Sequence, residues 1–297
     1  MTVASIGVLC NSILIIVIVV DPLKILRRGA WITILNLALA DFIACAGLFF
    51  ELLFYQIEDA ETLFLVINKV IFFRMFGQSA SFLLLTLLTV EIYLIIKYPM
   101  KSRVMLTDKK AVLSCAFVWL LAIGLGLCEI SYVWTDLFLY FYIGNIAVLE
   151  LTVAIQVVLK IFIAVEILSS RHSILNVETL NEKQQDVAKT VMILNAILIV
   201  TAFPYFLAKQ MEYVERLGGR DSNSRSLRQK FAYYYEPVAL LNFVLNAILY
   251  SLRLQDYRRS LLVLFKCKCK RHRRSNSTSQ QRFITAEKTE MSQTTKL

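Results

Sequence analysis

Seven stretches of this chain are long and apolar enough to cross a bilayer as helices. They lie near 3–20, 30–56, 66–96, 111–135, 138–167, 188–208 and 231–252. About 20 apolar residues suffice for one crossing. In hydrocarbon every backbone polar group must be satisfied within its own segment, so the chain can fold only as packed helices. Composition agrees. Mean hydropathy of +0.62 and 58% hydrophobic residues exceed what a soluble chain of 297 residues buries. The expected fold class is all-α, a seven-transmembrane helix bundle over 1–265. It closes with a short amphipathic helix over Leu252 to Phe265, too short and too charged to span. Residues 266–297 are polar, basic and rich in Ser and Thr, a composition expected to stay disordered. The third stretch is the least clean, carrying Lys69, Arg74 and Glu91, and only Thr135 and Asp136 part the fourth from the fifth. No internal repeat is visible.

Charge sets the expected topology. The net charge is +10, and nine Lys or Arg against two Glu from Lys266 onward supply +7 of it. A basic cluster that follows a membrane span points to anionic lipid headgroups rather than to nucleic acid. Lys24, Arg27 and Arg28 fill the first loop, and Lys97, Lys101, Arg103, Lys109 and Lys110 fill the third. The second carries Glu58, Asp59 and Glu61. Positive loops favour the cytoplasm, which puts the N-terminus outside and the C-terminus inside. The six cysteines form no disulfide framework. Cys10, Cys45 and Cys115 lie within spans, Cys128 has no evident partner, and Cys267 and Cys269 fall on the reducing side. No cleavable signal peptide is evident before the first span.

Polar residues inside spans are costly and mark functional sites. Asp41 lies ten residues into its span, roughly 15 Å deep at 1.5 Å per residue, near the midplane. Asn242, Asn246 and Tyr250 are spaced four apart and share one face of the seventh span. Arg74, Gln78 and Ser81 share one face of the third. Without water these groups must meet one another. The economical arrangement is one chamber of Asn11, Asp41, Ser81, Asn242 and Asn246, a site for a sodium ion or a proton or, alternatively, a hydrogen-bonded core holding neither. Pro204 removes a backbone hydrogen bond from the sixth span and is expected to kink it, either as a hinge or as a static bend.

These residues resemble the rhodopsin-like family of G-protein-coupled receptors across roughly 3 to 265. Asn11 matches the helix-one asparagine, and Asn36 to Asp41 reads as the helix-two motif. Glu91-Ile92-Tyr93 stands where the family has Asp-Arg-Tyr, with Pro99 in the following loop. Trp119 and Pro204 match the helix-four tryptophan and helix-six proline. Asn246 to Tyr250 stands where the family has Asn-Pro-x-x-Tyr. There are departures. The family arginine is Ile92, the helix-six tryptophan is Ala202, the helix-seven proline is Ala247, and the helix-three cysteine is Ile67. The missing cysteine and the proline-free fifth span resemble the melanocortin, lysolipid, cannabinoid and adenosine branch. Glu51 matches an acid of the melanocortin ligand site, but the accompanying helix-three acids fall on Ile67 and Ile71. An amine receptor of this family would have Asp at Arg74, and a retinal protein needs a lysine that 231–252 lacks.

The resemblance implies a plasma-membrane receptor that binds an extracellular ligand and signals through a heterotrimeric G protein and arrestin. Arg74, by the same rise, lies roughly 10 Å below the outer surface and needs a partner: Glu51, Glu150 or an anionic ligand. Gln78, Tyr140, Tyr142, Tyr205, Phe206 and Tyr233 to Tyr235 are candidate walls, with Tyr205 and Tyr234 foremost. Glu91, Ile92, Tyr93, Pro204 and Tyr250 are the expected switch and coupling residues. Cys267 and Cys269 suit palmitoylation. Arg273-Arg274-Ser275 and Ser277 to Ser279 suit phosphorylation, and Thr295-Lys296-Leu297 resembles a PDZ-domain ligand. Two other functions fit the spans: a receptor-shaped decoy or dimer partner that does not couple, and a transporter. No catalytic or metal-binding constellation appears, and His172 and His272 read as solvated loop residues.

Overall fold

The computed structural model describes residues 1–26, 29–54, 60–172, 193, 196–197, 200–218 and 223–264. The helices are α1 (Thr2–Val20), α2 (Ala30–Phe54), α3 (Ala60–Lys97), α4 (Pro99–Met105), α5 (Asp108–Glu129) and α6 (Phe138–His172). They continue with α7 (Phe203–Leu217), α8 (Asn223–Arg253) and α9 (255–264). Among the described residues the chain is helical with no strand. Among the described residues six helices are long and apolar enough to cross a membrane: α1, α2, α3, α5, α6 and α8. Residues 188–192, 194–195 and 198–199 of the predicted sixth span, the Arg27–Arg28 pair, Cys267, Cys269 and the tail lie outside the described residues.

The helix ends have local causes. α1 stops at Asp21, which takes a left-handed conformation (φ 39°), and its carboxylate accepts the Ile25 and Leu26 amides at 3.0 and 3.2 Å. α4 opens with Pro99 in its first turn, where a missing N–H costs nothing. Asp108 sits in the first turn of α5, favoured by the helix dipole, and accepts the Gly29 amide at 3.1 Å. The fourth span ends at Glu129 rather than at 135, because a single 3-10 turn (Ser131–Val133) breaks it before α6. Pro204 does more than bend the sixth span. The helix is interrupted at Ala202, and α7 starts anew with Pro204 in its first turn. A second proline, Pro237, lies within α8, inside the span the sequence placed at 231–252.

α3 runs through the middle of the bundle, packed by α2, α5 and α6, while α1 and α8 close the side beyond α2. The α2–α3 seam is the tightest. A Cβ at Gly77 would stand 2.5 Å from the Ala44 nitrogen, and one at Gly47 would stand 2.7 Å from the Arg74 Cα. Small residues let membrane helices approach this closely, where dispersion replaces the absent hydrophobic drive. Gly77→Ala is therefore expected to destabilise the bundle by about 1–3 kcal/mol through forced separation of α2 and α3. Gly124→Ala, whose added Cβ meets nothing, is the neutral control. Thermal unfolding of both variants in lipid nanodiscs checks this, and equal midpoints would refute it.

Candidate functional site

Two polar centres sit between α2 and α3, about ten residues apart along α2. The first is built on Asp41. Its two oxygens accept from Ser81 Oγ at 2.5 Å and Asn246 Nδ2 at 2.7 Å. Asn11 Nδ2 donates to the carbonyls of Gly7 and Phe243 at 3.0 and 3.1 Å. Asn242 is 0% exposed, and neither its amide nitrogen nor its oxygen has a hydrogen-bond partner among the described residues. The Oδ1 atoms of Asn11 and Asn246 and the Tyr250 hydroxyl are buried and unpaired as well. The five residues expected to share a chamber come from α1, α2, α3 and α8, and the fold brings Asp41, Ser81 and Asn246 into direct contact. A carboxylate and buried amide oxygens without a partner are the donor types that a small hard cation such as sodium takes.

The second centre is built on Arg74, which forms a close ion pair with Glu51 and a looser contact with Glu236 at 3.9 Å. Glu150 is not its partner. The Gln210 amide, in the orientation that satisfies both its atoms, donates to Glu150 at 2.7 and 2.9 Å. Beside Arg74 lies a cavity of about 20 Å³, room for roughly one water. Arg74, Gln78, Tyr205 and Glu236 form its polar side, and Phe82, Phe206 and Phe243 part of its apolar side. The Phe82 ring meets Phe206 and Phe243 edge-on at 5.1 and 5.7 Å. The Phe243 carbonyl also accepts Asn11, so one residue touches both centres.

A wider cleft of about 440 Å³ opens next to this cavity, between the end of α7 and the start of α8, and Glu236 lines both. Tyr234, 76% exposed, borders this outer cleft and not the Arg74 cavity. Glu212 holds two of the cleft's cations, Lys209 at 3.3 Å and Arg216 at 2.6 Å, together with the Gln229 amide at 3.0 Å, while Lys230 also lines the cleft and is exposed. Burial alone would raise the Glu212 carboxyl, but the Gln229 hydrogen bond and the two cations hold it below the usual range. Of the other aromatic candidates, Tyr142 donates to the Glu129 carbonyl at 2.9 Å, Tyr235 donates to the Val200 carbonyl at 2.7 Å, and Tyr140 faces outward. Sequence reasoning missed Glu236. It belongs to the apolar seventh stretch, and the signal was its place next to Pro237, three residues from Tyr233.

At the opposite end Glu91 is buried and accepts both contacts of Thr33 Oγ1, each at 2.9 Å. Ile92, 2% exposed, belongs to one apolar cluster with Leu88, Tyr250 and Tyr257. Tyr93 points elsewhere, its hydroxyl accepting Lys97 at 2.7 Å. The Trp119 indole donates to Asn36 at 2.9 Å, tying α5 to α2. α9 seats Tyr257 and Ser260 against the bundle and leaves Leu262 exposed, as an interfacial helix would.

Comparison with known proteins places this geometry. The chain is 23% identical to lysophosphatidic acid receptor 4 of Mus musculus over 262 residues, 80% of this chain and 69% of that protein. It is 33% identical to the type-1 angiotensin II receptor of Cavia porcellus over 121 residues, 39% of this chain and 32% of that protein. Those two are named for different ligands, so they share a family and not a ligand. The model of the 7 transmembrane receptor (rhodopsin family) matches residues 10–250, which cover the helices that hold both polar centres. The chain belongs to that family: it is a multi-pass membrane protein and a G-protein-coupled receptor, not an enzyme.

Proposed function

We propose that the ligand binds from the outer cleft towards Arg74 and Glu236, and that its arrival is relayed to the Asp41 chamber and then to the end of the bundle at Ile92. The observation that carries this is the shared residue. Phe243 borders the ligand cavity with its ring and accepts Asn11 of the lower chamber with its carbonyl. A ring displaced by ligand moves the backbone that Asn11 holds. A cavity of one water's size must widen to admit a ligand, and the break at Ala202 ahead of Pro204 gives α7 room to move. A sodium ion at Asp41 would supply a compact positive charge that stabilises the unwidened state, held by the Asp41 carboxylate and the unpaired amide oxygens of Asn11, Asn242 and Asn246. The charge pattern of the loops supports a plasma-membrane receptor with its N-terminus outside, and the same end of the bundle as Ile92 would meet the G protein and arrestin. Palmitoylation at Cys267 and Cys269, tail phosphorylation, lipid contact by the basic tail and a PDZ partner at Leu297 complete this reading.

Coupling is the step where the chain departs most from its family. Ile92 offers a G protein no charge-assisted hydrogen bond, and Glu91 is occupied by Thr33 instead of an arginine. One restraint on the resting state and one contact in the signalling state are both missing. Basal and stimulated G-protein activation should be measured for wild type and Ile92→Arg at matched surface levels, against a broad ligand panel. Wild type is expected to couple weakly. The arginine form should respond more strongly but reach the surface less, because its charge enters an apolar cluster. Silence of both forms would overturn the coupling reading and leave a decoy.

A further inference from the structure

The charges around the ligand cavity do not balance, and the imbalance specifies the ligand. Arg74 is the cavity's one positive side chain, and two carboxylates already answer it, Glu51 from α2 and Glu236 from α8. A third, Glu129 at the end of α5, lies within electrostatic reach of the same guanidinium and accepts the Asn145 amide at 3.2 Å. The cations of the adjoining cleft do not correct this inside the cavity: Lys209 and Arg216 are both held by Glu212, and Lys230 lines the cleft but not the cavity and is exposed. Glu51 holds the Nε side of Arg74, so an anion entering the cavity would have to take the Nη side, where it meets Glu236 at the same guanidinium and stands in the field of Glu51 and Glu129 as well, like charges gathered where little water screens them. A cation meets Glu236, whose contact with Arg74 is long at 3.9 Å and leaves its carboxylate part-exposed to both cavity and cleft.

We propose that the ligand of this receptor carries a positively charged group, an ammonium or guanidinium, that pairs with Glu236 while an attached apolar body packs on Phe82, Phe206 and Phe243. This rests on the ligand site described above and reverses the expectation that Arg74 alone creates, that of an anion. The aromatic side of the cavity fits the same ligand, since ring faces attract a cation and ring edges pack its hydrocarbon. A phosphate-bearing anion, such as the ligand for which lysophosphatidic acid receptor 4 is named, is repelled at this position by the same three carboxylates.

The test reads the field of the cavity with charged probes. Ala239, a buried wall residue, is changed to Cys in the full-length receptor in nanodiscs. Its reaction rate is measured with a cationic methanethiosulfonate (the ethylammonium reagent) and with the anionic ethylsulfonate reagent. The receptor without Ala239→Cys serves as background, and a free small thiol supplies the intrinsic rate ratio. The cationic reagent is expected to be favoured at least tenfold over that intrinsic ratio, and Glu236→Gln should remove most of the preference. A ratio at or below that of the free thiol overturns the proposal. So does a preference that survives Glu236→Gln, or a thiol that reacts with neither reagent. Should Ala239→Cys fail to reach the membrane, Gln78→Cys opens on the same cavity. G-protein activation is scored separately. A chain that couples but favours the anionic probe loses only the cation assignment, and one that favours the cation but never couples loses the receptor mechanism.

Discussion

Arg74→Ala is expected to remove most of the receptor from the cell surface, and Glu51→Ala to remove much less. The asymmetry follows from the arrangement of charges. Arg74 has two carboxylates within 4 Å, whereas Arg74 is the one cation recorded on Glu51 among the described residues. Without Arg74, Glu51 is left buried and unpaired, and breaking such a pair costs about 3–5 kcal/mol. Without Glu51, Arg74 can still turn to Glu236. The double variant Arg74→Ala, Glu51→Ala removes both charges and should recover most of the surface level of Glu51→Ala alone. Flow cytometry of an epitope-tagged receptor, paired with thermal unfolding, closes this double-mutant cycle. Additive losses, with no recovery in the double variant, would show that the two side chains act independently and that the ion pair is not what holds α2 to α3.

The second large effect concerns Asp41. Asp41→Ala strands the Ser81 hydroxyl and the Asn246 amide in a chamber that already holds several unpaired polar atoms. Each buried group left without a partner costs about 1–3 kcal/mol, so the loss should be visible as a sharply lowered unfolding midpoint. Asp41→Asn separates packing from charge. It keeps one oxygen to accept and adds a donor that Asn242 Oδ1 or Asn246 Oδ1 could receive, so it should cost far less. It also removes the negative charge, and with it any preference for sodium. Unfolding midpoints of wild type and Asp41→Asn are compared in sodium chloride and in choline chloride at equal ionic strength. Wild type is expected to be stabilised by sodium and the variant to be indifferent. Identical salt responses in the two would end the sodium reading and leave a hydrogen-bonded core.

Much of this molecule follows from one dimension. The length and apolarity of the spans force helices, because a backbone in lipid has no other way to satisfy itself. The i, i+4 spacing of Asn242, Asn246 and Tyr250 puts them on one face whatever surrounds them. A carboxylate at mid-depth had to find neutral donors, and Ser81 and Asn246 are where the pattern placed them. Pairing between helices is different in kind. The sequence shows that Arg74 needs a partner, but Glu51 and Glu150 are equally plausible until α2 approaches α3 over Gly47 and Gly77, closely enough for Glu51 to reach it. Glu150 instead turns to Gln210 on α7. The sign of the ligand site is likewise a tertiary property. Along the chain Arg74 reads as a lone cation, and only the convergence of α2, α5 and α8 surrounds it with Glu51, Glu129 and Glu236. Charges sum in space and not in order, so the helices' positions decided what the residues' identities left open.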